Sequence, residues 1–367
     1  MPIQRRHLLA TALAAAPGLR SGPGWAETRT LAPRPLAFPR DHGSHHDTRT
    51  EWWYLTGHGQ AGDGRLYGFQ ITFFRSRVDA AARLPGRLAA RQLLFAHAAI
   101  TDVGGARLWH DQRIARWNGE VPADTERGVF ARETDTEVVL RDWHLRRRPD
   151  GGYEARIGGD EIGIELQATP RQPLLLQGDA GFSRKGPQPA QASFYVSHPQ
   201  LAVQARLRLP GTRVAVRGSA WLDHEWSEAL LHPDAMGWDW IGMNLGDGAA
   251  LTAFRLRRAD GSALWAGGSW RTAAGVLTVF GPDALAWTPR RRWTSPRTGA
   301  DYPVAWRLDT PAGSFTVQSL VDAQELDSRA STGTVYWEGL SDLLDAQGRR
   351  TGRGYLEMTG YAGRLVL

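Results

Sequence analysis

The sequence predicts a mostly β protein that consists of two antiparallel β-barrel domains in tandem. Its apolar residues recur mainly at period two, in short runs interrupted by Gly, Pro, Asp and Asn, and few windows keep a helical period for about ten residues. The 367 residues include 42 Gly and 21 Pro, which suits a loop-rich β protein of about two domains. With 16 Trp and no Cys, we expect stability to come from packing and not from disulfides.

Several segments have the length and the flanking turn residues of strands. They are residues 65–75, 92–102, 136–147, 161–169 and 204–211. The pattern breaks at two places, residues 78–92 and 227–235, where it predicts short helical or loop insertions.

An internal repeat indicates how these strands divide between domains. EWWYLTGHGQAGDGRLYGFQITFFR (51–75) and GWDWIGMNLGDGAALTAFRLR (237–257) both run from an aromatic strand through a Gly/Asp turn into a strand with Phe and Arg near its end. Each segment predicts a β-hairpin. We therefore expect two β domains, at residues 35–212 and 213–367. Closing each into a barrel removes free sheet edges and leaves room for one elongated apolar ligand.

The N-terminus, residues 1–26, has the pattern of an export signal. Arg5-Arg6 precedes an apolar run at residues 8–16 and a small-residue exit at residues 24–26, as in cleaved signal peptides. The apolar run is far shorter than the roughly 20 residues that span a bilayer. The paired arginines favour twin-arginine export over general secretion. The mature protein is thus expected to be periplasmic or secreted and not membrane-spanning.

The charge of the chain does not indicate a nucleic-acid partner. The formal net charge is +6, and removal of the three arginines in residues 1–26 lowers it to about +3 (6 − 3). The arginine runs at residues 146–148 and 290–292 lie beside Pro or Gly, as solvated turns do. Lys185 is the only lysine; it follows a Gly-rich polar stretch and is a candidate to meet an acidic group of a ligand.

The stretch SAWLDHEWSE (219–228) is the strongest candidate for a site. In a strand, neighbouring side chains point to opposite faces. One face carries Trp221, Asp223 and Glu225, and the other carries Leu222, His224 and Trp226. Charged side chains seldom bury unless paired. Two interpretations remain open: a salt-bridge ladder with Arg75 or Arg255 as counterions, or an active site.

Two further strands place acids among aromatic rings. GWDWIG sets Trp238 and Trp240 opposite Asp239, and EWWY sets Glu51 and Trp53 opposite Trp52 and Tyr54. Burial of an acid raises its pKa, so that it can act as a general acid near neutrality. An aromatic face stabilises a nearby cation by roughly 0.5–2 kcal/mol. Acid and ring together suit the protonation of an alkene and the shielding of the resulting carbocation.

Other catalytic signatures are absent from the sequence. His42, His45 and His46 lie in a loop-like DHGSHHD stretch without the HExxH spacing or a cysteine partner, which favours a hydrogen-bonded barrel rim over a metal site. The sequence contains no Gly-x-Ser-x-Gly elbow, Walker loop or dinucleotide fingerprint. We expect no metal and no cofactor.

Nine segments in order resemble the AttH-like secreted proteins, which are related to bacterial carotenoid 1,2-hydratase (hydroxyneurosporene synthase). The segments are FPRDHGSHHDTRTEWWYLTGH, GFQITFFR, AHAAITD, LQGDAGFSRKG, WLDHEWSEALL, GWDWIGMNLGDG, YPVAWRL, YWEGL and GYLEMTGY. The resemblance implies two tandem lipocalin-like (calycin) β-barrels with a shared site near their junction. It also implies an isoprenoid or polyene substrate, although many relatives are labelled secreted hydrolases or are encoded beside an ABC exporter.

The resemblance also implies a set of site residues. The hydratase-like pair is His224 and Trp226, with Asp223, Glu225 and Asp239 as neighbouring acids. The residues expected to line the ligand site are Trp238, Trp240, Trp53, Tyr54, Glu51 and His97. Carotenoid hydratases work at the cytoplasmic membrane, whereas this chain has an export signal and an EWWY opening, so carotenoid itself is not the expected substrate.

The expected function is therefore an exported, cofactor-free protein that binds an elongated isoprenoid or lipid and hydrates or hydrolyses it. Asp239 or Glu225 would deliver the proton, Trp226 and Trp238 would flank the cation, and His224 would orient the attacking water. The alternative is a non-catalytic periplasmic lipid carrier that works with an ABC transporter permease and uses the same acids as structural ion pairs.

Overall fold

The computed structural model describes residues 30–364 with the exception of 83, 87 and 230. The predicted export signal lies outside this part of the chain. The regular secondary structure of the described residues is almost entirely antiparallel β, in two barrel-like sheets, and the predicted fold of two tandem lipocalin-like barrels is confirmed. None of the helices in the described part has the length and apolarity that a membrane span requires.

The first sheet contains thirteen strands within the described residues. In chain order they are β1 (Thr50–Ala61), β2 (Leu66–Arg77), β3 (Gln92–Asp102), β4 (Arg107–Trp117), β5 (Val129–Ala131), β6 (Glu137–Leu140), β7 (Trp143–Arg147), β8 (Tyr153–Gly158), β9 (Gly163–Pro170), β10 (Leu175–Leu176), β11 (Phe182–Arg184), β12 (Ala192–Leu209) and β13 (Thr212–Ser227).

The second sheet contains ten strands within the same described part. They are β14 (Gly237–Leu245), β15 (Ala250–Arg257), β16 (Ala263–Arg271), β17 (Leu277–Phe280), β18 (Ala286–Thr294), β19 (Asp301–Thr310), β20 (Gly313–Ser319), β21 (Glu325–Asp327), β22 (Val335–Leu344) and β23 (Arg350–Met358). Short 3-10 helices lie at Arg40–His42, Asp79–Ala81 and Pro282–Ala284.

Both sheets follow one plan, as the internal repeat predicts. In each, the first strand lies between the second and the last: β1 pairs with β2 and β13, and β14 pairs with β15 and β23. The two predicted hairpins form at the Gly-Asp-Gly turns. Gly64 and Gly248 have φ of +87° and +92°, which only glycine adopts without strain.

The division between the sheets differs from the expected one. β13 hydrogen-bonds with β1 and β12, so residues 213–227 belong to the first sheet and the change of sheet falls between Ser227 and Gly237. The expectation of a boundary after residue 212 was wrong because alternation predicts a strand but not its partner.

Most predicted strands form close to their expected bounds. Residues 136–147 instead form two strands, β6 and β7, because the chain turns at Arg141, which has φ of +63°. Within the described part of residues 78–92 the 3-10 turn Asp79–Ala81 is the only helical element, and the described part of residues 227–235 contains no helix.

Three apolar clusters organise the molecule. One fills the first barrel, and one fills the second. A third lies between the sheets and combines Tyr54 and Trp221 of the first sheet with Trp240, Leu340 and Tyr355 of the second. This arrangement leaves a cavity beside the third cluster.

Candidate functional site

A cavity of about 280 Å³ lies between the two sheets. Its wall is mainly apolar and includes nine aromatic rings. The rings that line it belong to Trp52, Tyr54, Phe74, Phe95, Tyr195, Trp238, Trp240, Phe254 and Tyr336. Ile114, which is 42% exposed, marks its opening to solvent. The volume is near the lower end of the roughly 300–1,000 Å³ of ligand pockets, so a long ligand would insert only one end.

The alternation of β13 explains how charged groups reach this cavity. Asp223 and Glu225 face it, whereas the intervening His224 points into the first barrel. On the neighbouring strand β1, Tyr54 is opposite Asp223 and Trp52 is opposite Glu225. The two faces predicted from the sequence are therefore the observed ones, and the structure shows which of them faces the cavity.

Asp223 is held by neutral hydrogen-bond donors. The hydroxyls of Tyr195 and Ser197 and the indole N–H of Trp221 donate to its carboxyl oxygens at 2.6 Å each. No salt bridge to it is found among the described residues. Burial raises the pKa of Asp223 to about 7 despite these hydrogen bonds. This carboxyl can thus hold a proton at neutral pH.

Glu225 has the opposite surroundings. The ammonium of Lys185 lies 3.1 Å from its Oε1, and the hydroxyl of Ser193 donates to the same oxygen at 2.5 Å. The ammonium also lies 4.3 Å and 4.1 Å from the ring centroids of Tyr195 and Phe254. Lys185, only 5% exposed, is therefore a cation buried against a carboxylate and two ring faces.

A second acid pair comes from the other sheet. Glu338 on β22 is directly opposite Glu357 on β23, and both line the cavity. The indole N–H of Trp238 donates to Glu357 Oε1 at 3.1 Å. Burial raises the pKa of Glu357 to about 8 and that of Glu338 well above its usual range.

The sequence analysis missed this second pair. YWEGL and GYLEMTGY were noted as segments, but Glu338 and Glu357 were not singled out. The sequence does contain a signal for them, because Glu338 and Glu357 are acids in segments rich in aromatic and apolar residues, as Asp223 and Glu225 are.

His97 also lies at the cavity, as expected from the sequence. Its Nδ1 is 2.8 Å from the hydroxyl of Tyr336 and its Nε2 is 2.8 Å from the hydroxyl of Ser331. Burial lowers the pKa of His97 to about 3. The ring is thus neutral at pH 7 and connects β3 of the first sheet to the second sheet.

Asp239 does not lie at the cavity. It points into the second barrel, where Arg255 Nε lies 2.7 Å and Arg257 Nε lies 3.0 Å from Oδ2, and the hydroxyl of Tyr361 donates to Oδ1 at 2.9 Å. Trp238 and Trp240, on the opposite face of β14, do line the cavity. The expectation that Asp239 delivers a proton is corrected: two guanidinium groups balance its charge, and it has no access to a ligand there.

Neither His224 nor the rings of Trp53 and Trp226 line the cavity. Trp53 lies in the apolar cluster of the first barrel, and Trp226 packs in a separate cluster. His224 Nε2 lies 2.9 Å from Glu51 Oε1, while Arg75 Nε donates to Glu51 Oε2 at 2.8 Å. Glu51 borders the cavity, but its carboxyl group is turned into this network. The expected roles of His224 in orienting water and of Trp226 in flanking a cation therefore have no support in the geometry.

The DHGSHHD loop completes the Glu51 network and is not an exposed rim. His45 is 3% exposed; its Nδ1 lies 2.9 Å from Glu51 Oε1 and its Nε2 lies 3.0 Å from Asp41 Oδ1. Burial alone would lower the pKa of His45, but these two carboxylates raise it above its usual value. The ring stacks on Trp226 with centroids 3.7 Å apart.

The His45, Glu51 and His224 atoms are close enough to one another to surround a metal ion, all lying within 4.8 Å. However, each of these atoms already takes part in a hydrogen bond of 2.9 Å, and Arg75 is bound to the other oxygen of Glu51. A divalent ion would need to displace these bonds beside a guanidinium group. The arrangement is that of a charge-balanced network.

The comparisons with known proteins agree with this architecture. The AttH-like family model matches residues 29–361. The crystal structure of a protein from Nitrosomonas europaea assigned as AttH has 45% sequence identity and a TM-score of 0.81, and the match covers 90% of this chain and 100% of that one. A comparison with curated proteins gave no match.

Two more distant crystal structures share the fold. Kievitone hydratase from Nectria haematococca has 13% identity and a TM-score of 0.68, with 90% of this chain and 94% of that one covered. CghA with Sch210972 has 14% identity and a TM-score of 0.51, with 86% and 90% covered. The match of the family model over nearly all the described residues shows that the chain belongs to the AttH-like family.

Proposed function

We propose that this protein binds an apolar small molecule in the cavity between its sheets and hydrates a carbon–carbon double bond in it. The observation that carries this proposal is the contrast between Asp223 and Glu225 on one face of β13. Asp223 has only neutral partners and a raised pKa, whereas Glu225 is paired with the Lys185 ammonium. A carboxyl group that can hold a proton, beside a second one that is paired with an ammonium, is the arrangement of a general acid and a general base.

The geometry is compatible with addition of water. Two residues on one face of a strand are separated by about 7 Å, which leaves room for a double bond and a water molecule. The ring faces of Trp52, Trp238 and Trp240 line the same cavity. Each can stabilise a developing cation by roughly 0.5–2 kcal/mol.

The proposed reaction has two steps. The proton of Asp223 is transferred to one alkene carbon as the π bond breaks, which leaves a carbocation at the more substituted carbon and a carboxylate at Asp223. Water then forms a C–O bond with the cation, and Glu225 accepts the proton that this water loses. Proton exchange with solvent restores both groups. The net change is the addition of one H₂O, which needs neither metal nor redox cofactor.

The test is turnover of prenylated phenols and short isoprenoid alcohols in H₂¹⁸O, with mass spectrometry of the products. We expect incorporation of one ¹⁸O, and a fall in kcat of about 10²–10⁴-fold in Asp223→Asn with ligand binding retained. Asp342→Asn is the matched control, because Asp342 is an acid on β22 that pairs with Arg353 and does not line the cavity. Full turnover by Asp223→Asn would rule out the assigned acid.

A carrier is the second candidate, and the mainly apolar cavity wall with its opening at Ile114 favours it. In this version an exported protein would present an isoprenoid or lipid to an ABC transporter permease. Native mass spectrometry of the protein from its own host would detect a retained lipid. Ligand binding without turnover of any alkene would favour the carrier over the hydratase.

The periplasmic or secreted location is part of the same proposal and rests on residues 1–26. Cell fractionation of a tagged chain tests it, and replacement of Arg5-Arg6 by two lysines separates the export routes. Retention of that variant in the cytoplasm supports twin-arginine export, and unchanged export supports general secretion.

A further inference from the structure

Glu338 is a buried acid that the proposed hydration does not use. It is 2% exposed, it lines the cavity, and within the described residues neither of its carboxyl oxygens has a hydrogen-bond partner. The hydroxyl of Tyr54 lies close enough to act on this carboxyl group as a hydrogen-bond donor, although the two groups fall outside strict hydrogen-bond geometry. A buried, unsatisfied carboxyl costs free energy, which a ligand with suitable donors would recover.

The surroundings of Glu338 determine the charge of that ligand. Glu357 lies directly opposite on β23, and Asp223 and Glu225 act on Glu357 electrostatically from the facing sheet. The cavity thus gathers four carboxyl groups, while the ammonium of Lys185 is paired with Glu225. A cation stabilises the ionised forms of these carboxyl groups and is then attracted to them, whereas an anion finds no unpaired cationic side chain among the described lining residues of the Glu338 and Glu357 pair.

The same cavity already contains one bound ammonium group, that of Lys185. Lys185 Nζ lies against one carboxylate and the faces of two aromatic rings, those of Tyr195 and Phe254. The pair of Glu338 and Glu357 offers a similar combination of carboxyl oxygens and neighbouring rings, without a lysine or arginine of the described residues in salt-bridge contact.

We propose that the cavity binds a lipophilic amine, with its ammonium nitrogen between Glu338 and Glu357 and its apolar part against the aromatic walls. An alkylammonium has up to three N–H donors, which match the two free oxygens of Glu338 and the one of Glu357 that Trp238 leaves free. A neutral alcohol has a single donor and would leave the rest unsatisfied. The inference uses the cavity of the proposed function but does not depend on turnover.

The binding should be linked to pH. Burial raises the pKa of Glu357 to about 8 and that of Glu338 well above its usual range, so burial favours the protonated forms of both and Glu357 is mainly protonated at pH 7. An ammonium favours their ionised forms, and its binding therefore releases protons. Affinity should rise as pH increases through about 8 and fall when the amine itself loses its proton near pH 10.

The experiment compares octylamine, octanol and octanoate on the purified full chain, with tryptophan fluorescence and titration calorimetry. At pH 8 we expect octylamine to bind at least about tenfold more tightly than octanol, and octanoate more weakly than both. Calorimetry in two buffers of different ionisation enthalpy should show proton release for the amine alone.

Glu338→Gln should reduce the preference for octylamine over octanol about tenfold and leave octanol binding unchanged, which also verifies that the variant is folded. Asp342→Asn, on the same strand but outside the cavity, should behave as wild type. If Glu338→Gln does not fold, Glu357→Gln and the pH profile of the wild type provide the same test.

Equal affinity for octylamine and octanol at pH 8, or an unchanged preference in Glu338→Gln, would overturn the proposal. The octyl ligands have no double bond. Failure of alkene hydration therefore leaves this result unaffected, and failure of amine binding leaves the hydration proposal unaffected.

Discussion

Buried carboxyl groups of two kinds lie on opposite faces of the two sheets. Glu51 and Asp239 point into the barrels, where each is paired with the arginine directly across the hairpin, Arg75 or Arg255. Asp223 faces the cavity and has no such partner. The counterions considered for the acids of β13 therefore belong to Glu51 and Asp239 inside the barrels, and the interpretation of the β13 acids as an active site stays a prediction.

Glu51→Gln should be strongly destabilising. The carboxylate is 1% exposed, and its removal leaves the guanidinium of Arg75 buried without its counterion. Loss of one partner of a buried ion pair costs about 3–5 kcal/mol. Urea unfolding at pH 7 measures the change, and a loss below about 1 kcal/mol would contradict it.

Glu338→Gln should have the opposite effect at high pH. Because burial raises the pKa of Glu338, the wild-type chain loses stability as pH rises above the ordinary titration range of a carboxyl group, whereas the amide does not ionise. We therefore expect this variant to unfold at the same or a higher urea concentration than wild type at pH 9. A destabilisation comparable with that of Glu51→Gln would show that Glu338 has a structural partner.

Asp223 predicts a definite pH dependence of stability. Its pKa rises from 3.8 to about 7 on folding, so between pH 4 and pH 7 the folded chain binds more protons than the unfolded chain. Stability should therefore decrease as pH rises through this range, by on the order of a few kcal/mol from this group, and level off above pH 7. In Asp223→Asn this contribution should vanish, as thermal unfolding at several pH values would show.

At the scale of elements, the closure of the second barrel depends on glycine. A Cβ at Gly354 of β23 would lie 1.9 Å from the carbonyl oxygen of Gly242 on β14, so the first and last strands of this sheet approach too closely for a side chain. Gly354→Ala should destabilise the protein by about 3 kcal/mol or more.

Gly62→Ala is the control for this prediction. Gly62 is in the β1–β2 turn, where a Cβ would meet no atom within 4 Å, and the substitution should change stability by less than about 0.5 kcal/mol. Equal urea midpoints for the two variants would show that β14 and β23 separate without cost.

The elements themselves could be predicted because alternation and turn residues are local signals. The hairpins at Gly64 and Gly248 followed from the Gly-Asp-Gly turns. The placement of β13 in the first sheet could not be predicted, since its pairing with β1 joins residues far apart in the chain. The orientation of β14 also depends on contacts between distant residues, so the burial of Asp239 among arginines could not be predicted either.

At the scale of the whole molecule, the two sheets are joined by polar contacts as well as by the shared apolar cluster. His97 contacts Tyr336, the hydroxyl of Thr101 donates to Gln324 at 2.8 Å, and the indole N–H of Trp240 donates to Tyr195 at 2.9 Å. If one sheet unfolded, the polar and apolar groups that contact it would become exposed on the sheet that remained folded.

We therefore expect one cooperative unfolding transition. Tryptophan fluorescence and far-ultraviolet circular dichroism should give the same urea midpoint, and calorimetry should show a single peak. Two separated transitions would mean that each barrel is stable without the interface.

The site could be predicted only in part, for the same physical reason. The acids of β13 and the indoles of β14 were recognised because each lies beside its partners in sequence. Glu338 and Glu357 meet Asp223 only when the second sheet packs on the first, and a linear pattern holds no information on that packing.

The solitary lysine offers a practical consequence. Because Lys185 is the only side-chain amine in the sequence and lines the cavity, acylating reagents that reach the cavity can modify a side-chain amine at a single position. A ligand in the cavity should protect Lys185 from acetylation. The extent of acetylation would therefore report whether the cavity is occupied, even in unfractionated cell extract and before a natural ligand has been identified.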